Sequence, residues 1–212
     1  MLTHRMRSAI SKGPTPAFSF VASNSIYTST ASTPTETQIG DIILCINTAD
    51  GTTSYPGLIV PSGFTLIDNF LNNFIMPTYP VTVRYERYSL LYKVATENGS
   101  ISVTGMGGGA LSFLILRPID FTISSISVQS LNTNIGSSIV FDTTPSGSAK
   151  TLPIIFPVVN SYGPFPTVTT DPKFSYDSNN LVYYSSSKEV GTIWNATVTG
   201  QSAMSSFYLE VT

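Results

Sequence analysis

The chain has 212 residues, of which 42% are hydrophobic and only 10% are charged, and its formal net charge is −2 at pH 7. This length can form one large hydrophobic core or two small ones. An average soluble protein carries roughly 25% charged residues, so the surface of this one offers little charge to oppose association with other subunits. The near-neutral charge predicts no nucleic-acid partner. The apolar runs fall far short of the roughly 20 residues that cross a bilayer, so no membrane partner is predicted either.

Residues 1–15 are predicted to form an extended N-terminal arm. The arm is basic and runs into Gly13-Pro14-Thr15-Pro16, whose prolines disfavour a helix. No apolar segment follows the basic residues, so the arm does not have the pattern of a signal peptide. We expect its cations to bind a partner, and the candidate residues are Arg5, Arg7 and Lys12.

From Phe18 onward the sequence predicts strands, because short β-branched and aromatic segments alternate with turn signals and helical periodicity is almost absent. Residues 42–46 are apolar on both faces, which predicts a buried strand with Cys45 as a buried free thiol. Residues 71–80 are predicted as a loop, and residues 81–88 as a strand with one solvated face. The pattern as a whole predicts an all-β protein, an antiparallel β-sandwich of jelly-roll-like architecture.

The second half of the chain resembles a diverged copy of the first, at a spacing of roughly ninety residues that is too long for a solenoid repeat. Segments 90–94, 101–105 and 110–116 read LLYKV, ISVTG and ALSFLIL, and segments 181–184, 196–200 and 203–209 read LVYY, ATVTG and AMSSFYL. We therefore expect a first β-sandwich half at 16–118 and a second half at 119–212. The pattern leaves open whether they form two sandwiches or one pseudo-symmetric domain.

Residues able to carry catalysis are scarce. The one histidine, His4, lies in the arm, where no core can orient it as a catalytic base, and a single cysteine excludes the usual zinc sites. The carboxylates are scattered, mostly at turns. A catalytic carboxylate pair or a loop-bound calcium ion stays open as an alternative, because the residues of either site are brought together by the fold and not by sequence spacing. The glycine-rich run 105–109 lacks the Lys-Ser/Thr and the helix of a phosphate loop, and it is predicted to be a hairpin tip. We predict no catalytic residue, no metal and no cofactor.

Tyrosines in predicted loops are the remaining candidates for a binding surface. Tyr55, Tyr79 and Tyr162 could contact a glycan or a protein, because a tyrosine ring offers a large contact area at low entropic cost. Packing beneath the loops is the alternative interpretation.

Three motifs follow one another in the first half. They are Gly40-Asp41-Ile42-Ile43-Leu44, Pro61-Ser62-Gly63-Phe64-Thr65-Leu66, and Leu90-Leu91-Tyr92-Lys93-Val94-Ala95 leading to Leu114-Ile115-Leu116-Arg117. Together they resemble a β-sandwich module that recurs in bacteriophage virion proteins and related bacterial surface proteins, where a tryptophan usually stands in place of Phe64. The second half lacks Gly-Asp before Leu152 and keeps only Asp171-Pro172-Lys173-Phe174. The resemblance implies a display or binding scaffold without shared catalytic residues.

The resemblance, together with the low charge and the scarcity of catalytic residues, implies a non-enzymatic structural protein on the exterior of a bacteriophage virion, assembled in the host cytoplasm. The first hypothesis is a capsid decoration (cement) protein, a homo-oligomer whose arm lies on the major capsid protein or on another virion protein. The second is a tail-fibre or receptor-binding module that contacts a host glycan. The third is a carbohydrate-active enzyme. The sequence does not distinguish a head from a tail location.

Overall fold

The computed structural model describes residues 17–76, 82–107, 109–135, 138–142, 150–159, 167–170, 175–177, 182–184, 193–199 and 202–212. In these residues it contains fifteen strands and no helix, and all strand pairs are antiparallel. The prediction of an all-β antiparallel protein is confirmed. None of these residues belongs to a helix long and apolar enough to cross a membrane.

Seven strands belong to the first half of the chain. They are β1 (Phe18–Ile26), β2 (Thr30–Ser32), β3 (Ile42–Gly51), β4 (Thr65–Met76), β5 (Thr82–Val94), β6 (Ser102–Thr104) and β7 (Leu111–Pro118). The first sheet has the strand order β1-β7-β3-β5-β4, and β2 pairs with β6 in a first small sheet.

Eight of the described strands lie in the second half. They are β8 (Ile126–Ile135), β9 (Ser138–Asp142), β10 (Lys150–Val159), β11 (Thr167–Thr170), β12 (Ser175–Asp177), β13 (Val182–Tyr184), β14 (Ile193–Thr199) and β15 (Ser202–Val211). The second sheet has the order β12-β13-β10-β15-β8, and the second small sheet has the order β11-β14-β9.

The strand orders of the two halves correspond position by position. Read from β8, the second sheet runs β8-β15-β10-β13-β12, and each strand takes the place of its counterpart in β1-β7-β3-β5-β4. The pair β9-β14 likewise corresponds to β2-β6, and β11 is an additional strand. Chain order is preserved throughout, so one winding path describes both halves.

The first sheet is buried on both faces, because alternate residues of a strand point to opposite sides. Ile42, Leu44 and Ile46 lie in one core cluster, and Ile43 and Cys45 lie in another. The predictions of a buried strand at 42–46 and of a buried Cys45 thiol are confirmed, since these five residues are at most 6% exposed.

The first core cluster joins the two halves. It contains residues of the first sheet, such as Leu114 and Leu116, together with Leu152, Leu209 and Val211 of the second sheet. The Tyr92 hydroxyl also donates a hydrogen bond to the Ile126 carbonyl oxygen, at 3.3 Å. Burial of apolar area, at roughly 25 cal/mol per Å², is the main contribution expected from such a cluster.

The second core cluster lies on the opposite face of the first sheet. It packs Ile43, Leu91 and Phe113 against Ala31 and Val103 of the first small sheet. The short strands β2 and β6 therefore cover this second apolar face of the first sheet and shield it from water.

Two predictions at the level of elements are wrong. Residues 71–76, predicted as a loop, extend β4 to Met76, because β4 pairs with β5 along its whole length in the register that ends at Met76–Thr82. Cross-strand pairing there outweighs the low β-propensity of the two asparagines. The run 105–109 is not a hairpin tip, because β6 pairs with β2 whereas β7 pairs with β1 and β3.

Candidate binding site

The Gly-Asp motif stabilises the fold. Gly40 has a φ of +88°, a backbone conformation that favours glycine. Asp41 is buried at 1% exposure, and its carboxylate accepts hydrogen bonds from Arg117 Nε at 2.8 Å and Nη2 at 2.9 Å. The backbone N–H of Gln38 donates to the same carboxylate. This brace ties the start of β3 to the end of β7.

The electrostatics of the brace follow from this geometry. The hydrogen bonds to Asp41 raise the pKa of Arg117 above its already high ordinary value. The guanidinium therefore stays charged at every pH at which the folded protein would be studied. The ion pair has the bidentate form that gives Arg–carboxylate contacts their strength.

The Pro-Ser-Gly-Phe motif is a structural turn. The N–H of Phe64 donates to the Pro61 carbonyl oxygen at 3.0 Å, and Gly63 has a φ of +77°. A glycine with positive φ at the third position is the requirement of a type II turn. The turn places Phe64 in the second core cluster. Two of the three motifs that carry the resemblance thus serve the scaffold.

The glycine-rich run packs tightly on β3. A Cβ on Gly109 would overlap the Thr48 carbonyl oxygen, and a Cβ on Gly105 would lie 2.7 Å from the side-chain Nδ2 of Asn47. Met106 between them is buried at 1% exposure. A glycine is needed at 109 because the chain there approaches the backbone of β3 more closely than a side chain permits, and Gly105 packs on the buried side chain of Asn47.

A cleft of about 150 Å³ lies beside this run. Two cross-strand pairs contribute to it, Thr48 opposite Tyr88 and Asp50 opposite Glu86. On each strand these residues are two apart, so all four lie on the sheet face that carries Ile46 and Leu90 of the first core cluster. Among the described residues, Tyr27, Ala49 and Gly109 also line the cleft.

The chemistry of the cleft combines carboxylates with tyrosines. Asp50 and Glu86 face each other on neighbouring strands, and the Tyr88 hydroxyl donates to Glu86 Oε2 at 2.5 Å. Tyr27 is 77% exposed and follows the end of β1. A few polar groups converging beside aromatic rings are typical of small-ligand sites.

Tyr55 lies next to this end of the first sheet. Its ring meets that of Tyr85 edge to face, with centroids 5.2 Å apart, and Tyr85 stands opposite Gly51 at the end of β3. The other predicted contact residues, Tyr79, Tyr162, Arg5, Arg7 and Lys12, and the arm 1–15 itself lie outside the described residues.

The cleft residues Tyr27, Asp50, Glu86 and Tyr88 were not singled out as a site in the sequence. The clean alternation of 81–88 was the signal that could have paired Glu86 with Tyr88.

A second polar feature is buried beneath the glycine-rich run. Asn47 and Ser89 are cross-strand partners at 0% exposure. In the described part of the chain, both amide atoms of Asn47 and the Ser89 hydroxyl lack a hydrogen-bond partner. Buried polar groups without partners cost free energy, so this pair weakens the local packing.

Other chemistry is sparse in the described residues. They contain no group of three or more His, Cys, Asp or Glu side chains that could hold a metal ion. Burial raises the pKa of the Cys45 thiol far above its ordinary value, so the thiolate needed of a nucleophile does not form.

The chain matches no protein-family model, no curated protein and no solved structure. The case for a function therefore comes from its own residues and geometry.

Proposed function

We propose that this chain is a non-enzymatic structural protein on the exterior of a bacteriophage virion, where it serves as a capsid decoration protein. The observation that carries the proposal is that the motif residues resembling virion modules make contacts that hold the scaffold. Asp41 and Arg117 brace two strands, and the turn at Gly63 places Phe64 in the core. Residues with such roles are expected in a display module, whose surface is free to vary.

The finer architecture in this proposal is a duplicated, jelly-roll-like β-sandwich. The position-by-position correspondence of strand order supports duplication. The first core cluster, with residues of both five-stranded sheets, supports face-to-face packing of the halves as one pseudo-symmetric domain. The eight strands that the structure describes in the second half lie in two antiparallel sheets, an arrangement that agrees with a jelly roll.

The proposed partners are the major capsid protein or other virion proteins, together with further copies of the chain. The low charge of the whole sequence supports subunit packing, because few charges must be desolvated at an interface. The arm 1–15, with Arg5, Arg7 and Lys12, is the proposed anchor on the capsid surface. No catalytic residue is assigned, and the proposed localisation is the virion, after assembly in the host cytoplasm.

Binding to undecorated phage heads tests this function. We expect saturable binding of the full chain and loss of binding when residues 1–15 are deleted. A triple variant, Arg5→Ser, Arg7→Ser and Lys12→Ser, keeps the length of the arm and separates its charge from its bulk. Absence of the protein from purified particles would refute the proposal.

A tail-fibre or receptor-binding module is the second candidate, and the cleft at Asp50, Glu86 and Tyr88 is the observation that favours it. A fibre chain is expected to form a trimer, so the molar mass in solution separates the two candidates. Adsorption of the purified protein to host cells, without binding to heads, would favour the second.

A further inference from the structure

We propose that the outer edge of strand β6 pairs with residues 57–60 of a second copy of the chain. The inference rests on the proposed homo-oligomer and names the surface through which its copies associate. Self-association is a property of the purified chain, so it can be tested without a particle.

In the second half of the chain, the corresponding edge is covered by a strand. β14, the counterpart of β6, pairs with β9 on one side and with β11 on the other. β11 comes from the chain segment between β10 and β12, whose counterparts in the first half are β3 and β4. If the first half followed the same plan, residues 52–64 would supply a strand to β6.

The first half does not complete this plan within one copy. β6 pairs with β2, and no other strand of the described residues pairs with it. Residues 52–64, which lie between β3 and β4, form no strand. The edge that β11 covers in one half is therefore open in the other.

The open edge of β6 presents backbone hydrogen-bonding groups. The N–H of Gly105 donates to the Ser29 carbonyl oxygen at 2.9 Å, so Gly105 faces β2. Backbone groups alternate in direction along an antiparallel pair, so those of Ser102 and Thr104 face away from β2. Such a row of outward groups is a template for another strand.

A pocket of about 190 Å³ borders this edge. Its described lining includes Ser102 and Thr104 of β6, and Pro61 and Phe64 of the turn that precedes β4. Lys93 also lines it, with its ammonium 5.9 Å from the centroid of the Phe64 ring. A strand added to β6 would therefore also contact the ring of Phe64 and the hydrocarbon chain of Lys93.

The segment that we assign to this edge is apolar and exposed. Its side chains Leu58, Ile59 and Val60 are 38%, 45% and 42% exposed. Two of the three are β-branched, which favours an extended strand. In its own copy the segment leads into the Pro61–Phe64 turn, which holds it beside the pocket and not on β6. A second copy can approach β6 without that constraint.

The position of the two elements suits a closed dimer. The segment ends at Pro61, which lines the same pocket as β6, so one surface carries both the segment and the edge. A twofold axis then places the segment of each copy on β6 of the other, and the interface closes at two copies. Exchange of equivalent elements between copies is a low-cost route to a dimer.

The molar mass of the full chain in solution is the first test. Sedimentation equilibrium over a wide range of protein concentration should show a dimer. Ile59→Asp should weaken the dimer by at least about tenfold, because it replaces buried apolar area with a charge. Ile39→Asp is the matched control, because Ile39 is 65% exposed and lies outside the pocket lining. The control should dimerise like the wild type, and circular dichroism verifies that both variants fold.

Cross-linking between two differently tagged variants locates the contact. One variant carries Thr104→Cys, and the other carries one cysteine substitution at residue 58, 59 or 60. At least one of these three mixtures should form a disulfide between the variants, because the bond needs Cα atoms within about 7 Å. Ile39→Cys mixed with Thr104→Cys is the control. Cys45 does not interfere, because it is buried at 1% exposure.

Four results would overturn the proposal. They are a monomer at every concentration, a trimer, equal losses in Ile59→Asp and its control, and cross-linking no faster than in the control mixture. Any of them would leave the capsid role intact, because head binding is measured through the arm. Conversely, a dimer that passes these tests but does not bind heads would support this surface and remove the capsid role.

Discussion

The two halves of the chain share one strand order but secure it differently. In the first half, Arg117 at the end of β7 makes a bidentate ion pair with the buried Asp41. At the corresponding place in the second half, Glu210 of β15 stands opposite Thr151 and accepts a hydrogen bond from Gln129 at 3.3 Å. The same strand order is thus found with different side chains at this place, an arginine paired with an aspartate in one half and a glutamate in the other.

The halves also differ where the chain passes from the small sheet to the large one. Six residues, 105–110, separate β6 from β7, whereas two residues, 200–201, separate β14 from β15. The longer passage packs Gly105 and Gly109 on β3 and contributes Gly109 to the cleft. The candidate site therefore lies where the first half departs from the common plan.

The largest effects are expected where the halves meet. Leu116 and Leu209 hold corresponding positions, are 0% exposed and belong to the same core cluster. Leu116→Ala and Leu209→Ala should each lower the free energy of unfolding by about 3 to 4 kcal/mol, through lost burial and a cavity. Urea denaturation should show one transition shifted by both. The exposed Leu71→Ala is the control, and two separate transitions would indicate independent halves.

The next largest effect on stability is expected in the glycine-rich run 105–109. Gly109→Ala should lower the free energy of unfolding by about 2 to 3 kcal/mol, because the new Cβ would overlap the Thr48 carbonyl oxygen. Gly107→Ala is the matched control, since a Cβ there meets nothing within 4 Å. Thermal unfolding monitored by circular dichroism separates the two variants. Equal stabilities would contradict the close packing of this run.

The ion pair that the first half has at this place gives the next effect. Asp41→Asn should lower the free energy of unfolding by about 2 kcal/mol, because it removes the charge of a buried carboxylate whose partner, Arg117, stays partly exposed to water. Chemical denaturation measures the loss, with the exposed Glu97→Gln as the control, which should stay within about 0.5 kcal/mol of the wild type. A loss as small as that of the control would contradict the strength of this ion pair.

The smallest expected effect is a gain. Ser89→Ala should raise the free energy of unfolding by about 1 kcal/mol, because the buried hydroxyl has no partner in the described residues. Ser112→Ala should lower it by a similar amount, since that hydroxyl shares a 2.6 Å hydrogen bond with Ser25. Guanidinium denaturation compares them. A loss for Ser89→Ala would indicate a bound water between Ser89 and Asn47.

The sequence predicted an element correctly where the side-chain pattern within that element determines its conformation. The two-sided apolar run identified the buried strand at 42–46, and the lone Cys45 was correctly placed inside it. It was wrong at 71–76, where pairing with β5 determines the conformation. The glycine-rich run 105–109 was predicted to be a hairpin tip, whereas Gly105 and Gly109 pack against β3.

The candidate cleft could not be found from the sequence for the same reason. Asp50 and Glu86 are 36 positions apart in the chain and become neighbours only through the register of β3 with β5. Tyr27 lies beside them because β1 and β3 finish at the same end of the first sheet. Tyr55, chosen from its loop position, lies beside this region but outside the cleft lining.

By itself the sequence determined the all-β class, the absence of helical periodicity and the two-sided burial of β3, because these depend on the alternation of side chains along a strand. The tertiary structure alone decided which strands are neighbours, that apolar side chains of both halves share one core, and that two carboxylates and two tyrosines line one cleft. Strand order and register are long-range pairings, and a pattern of period two constrains the face of a residue but not its partner across the sheet.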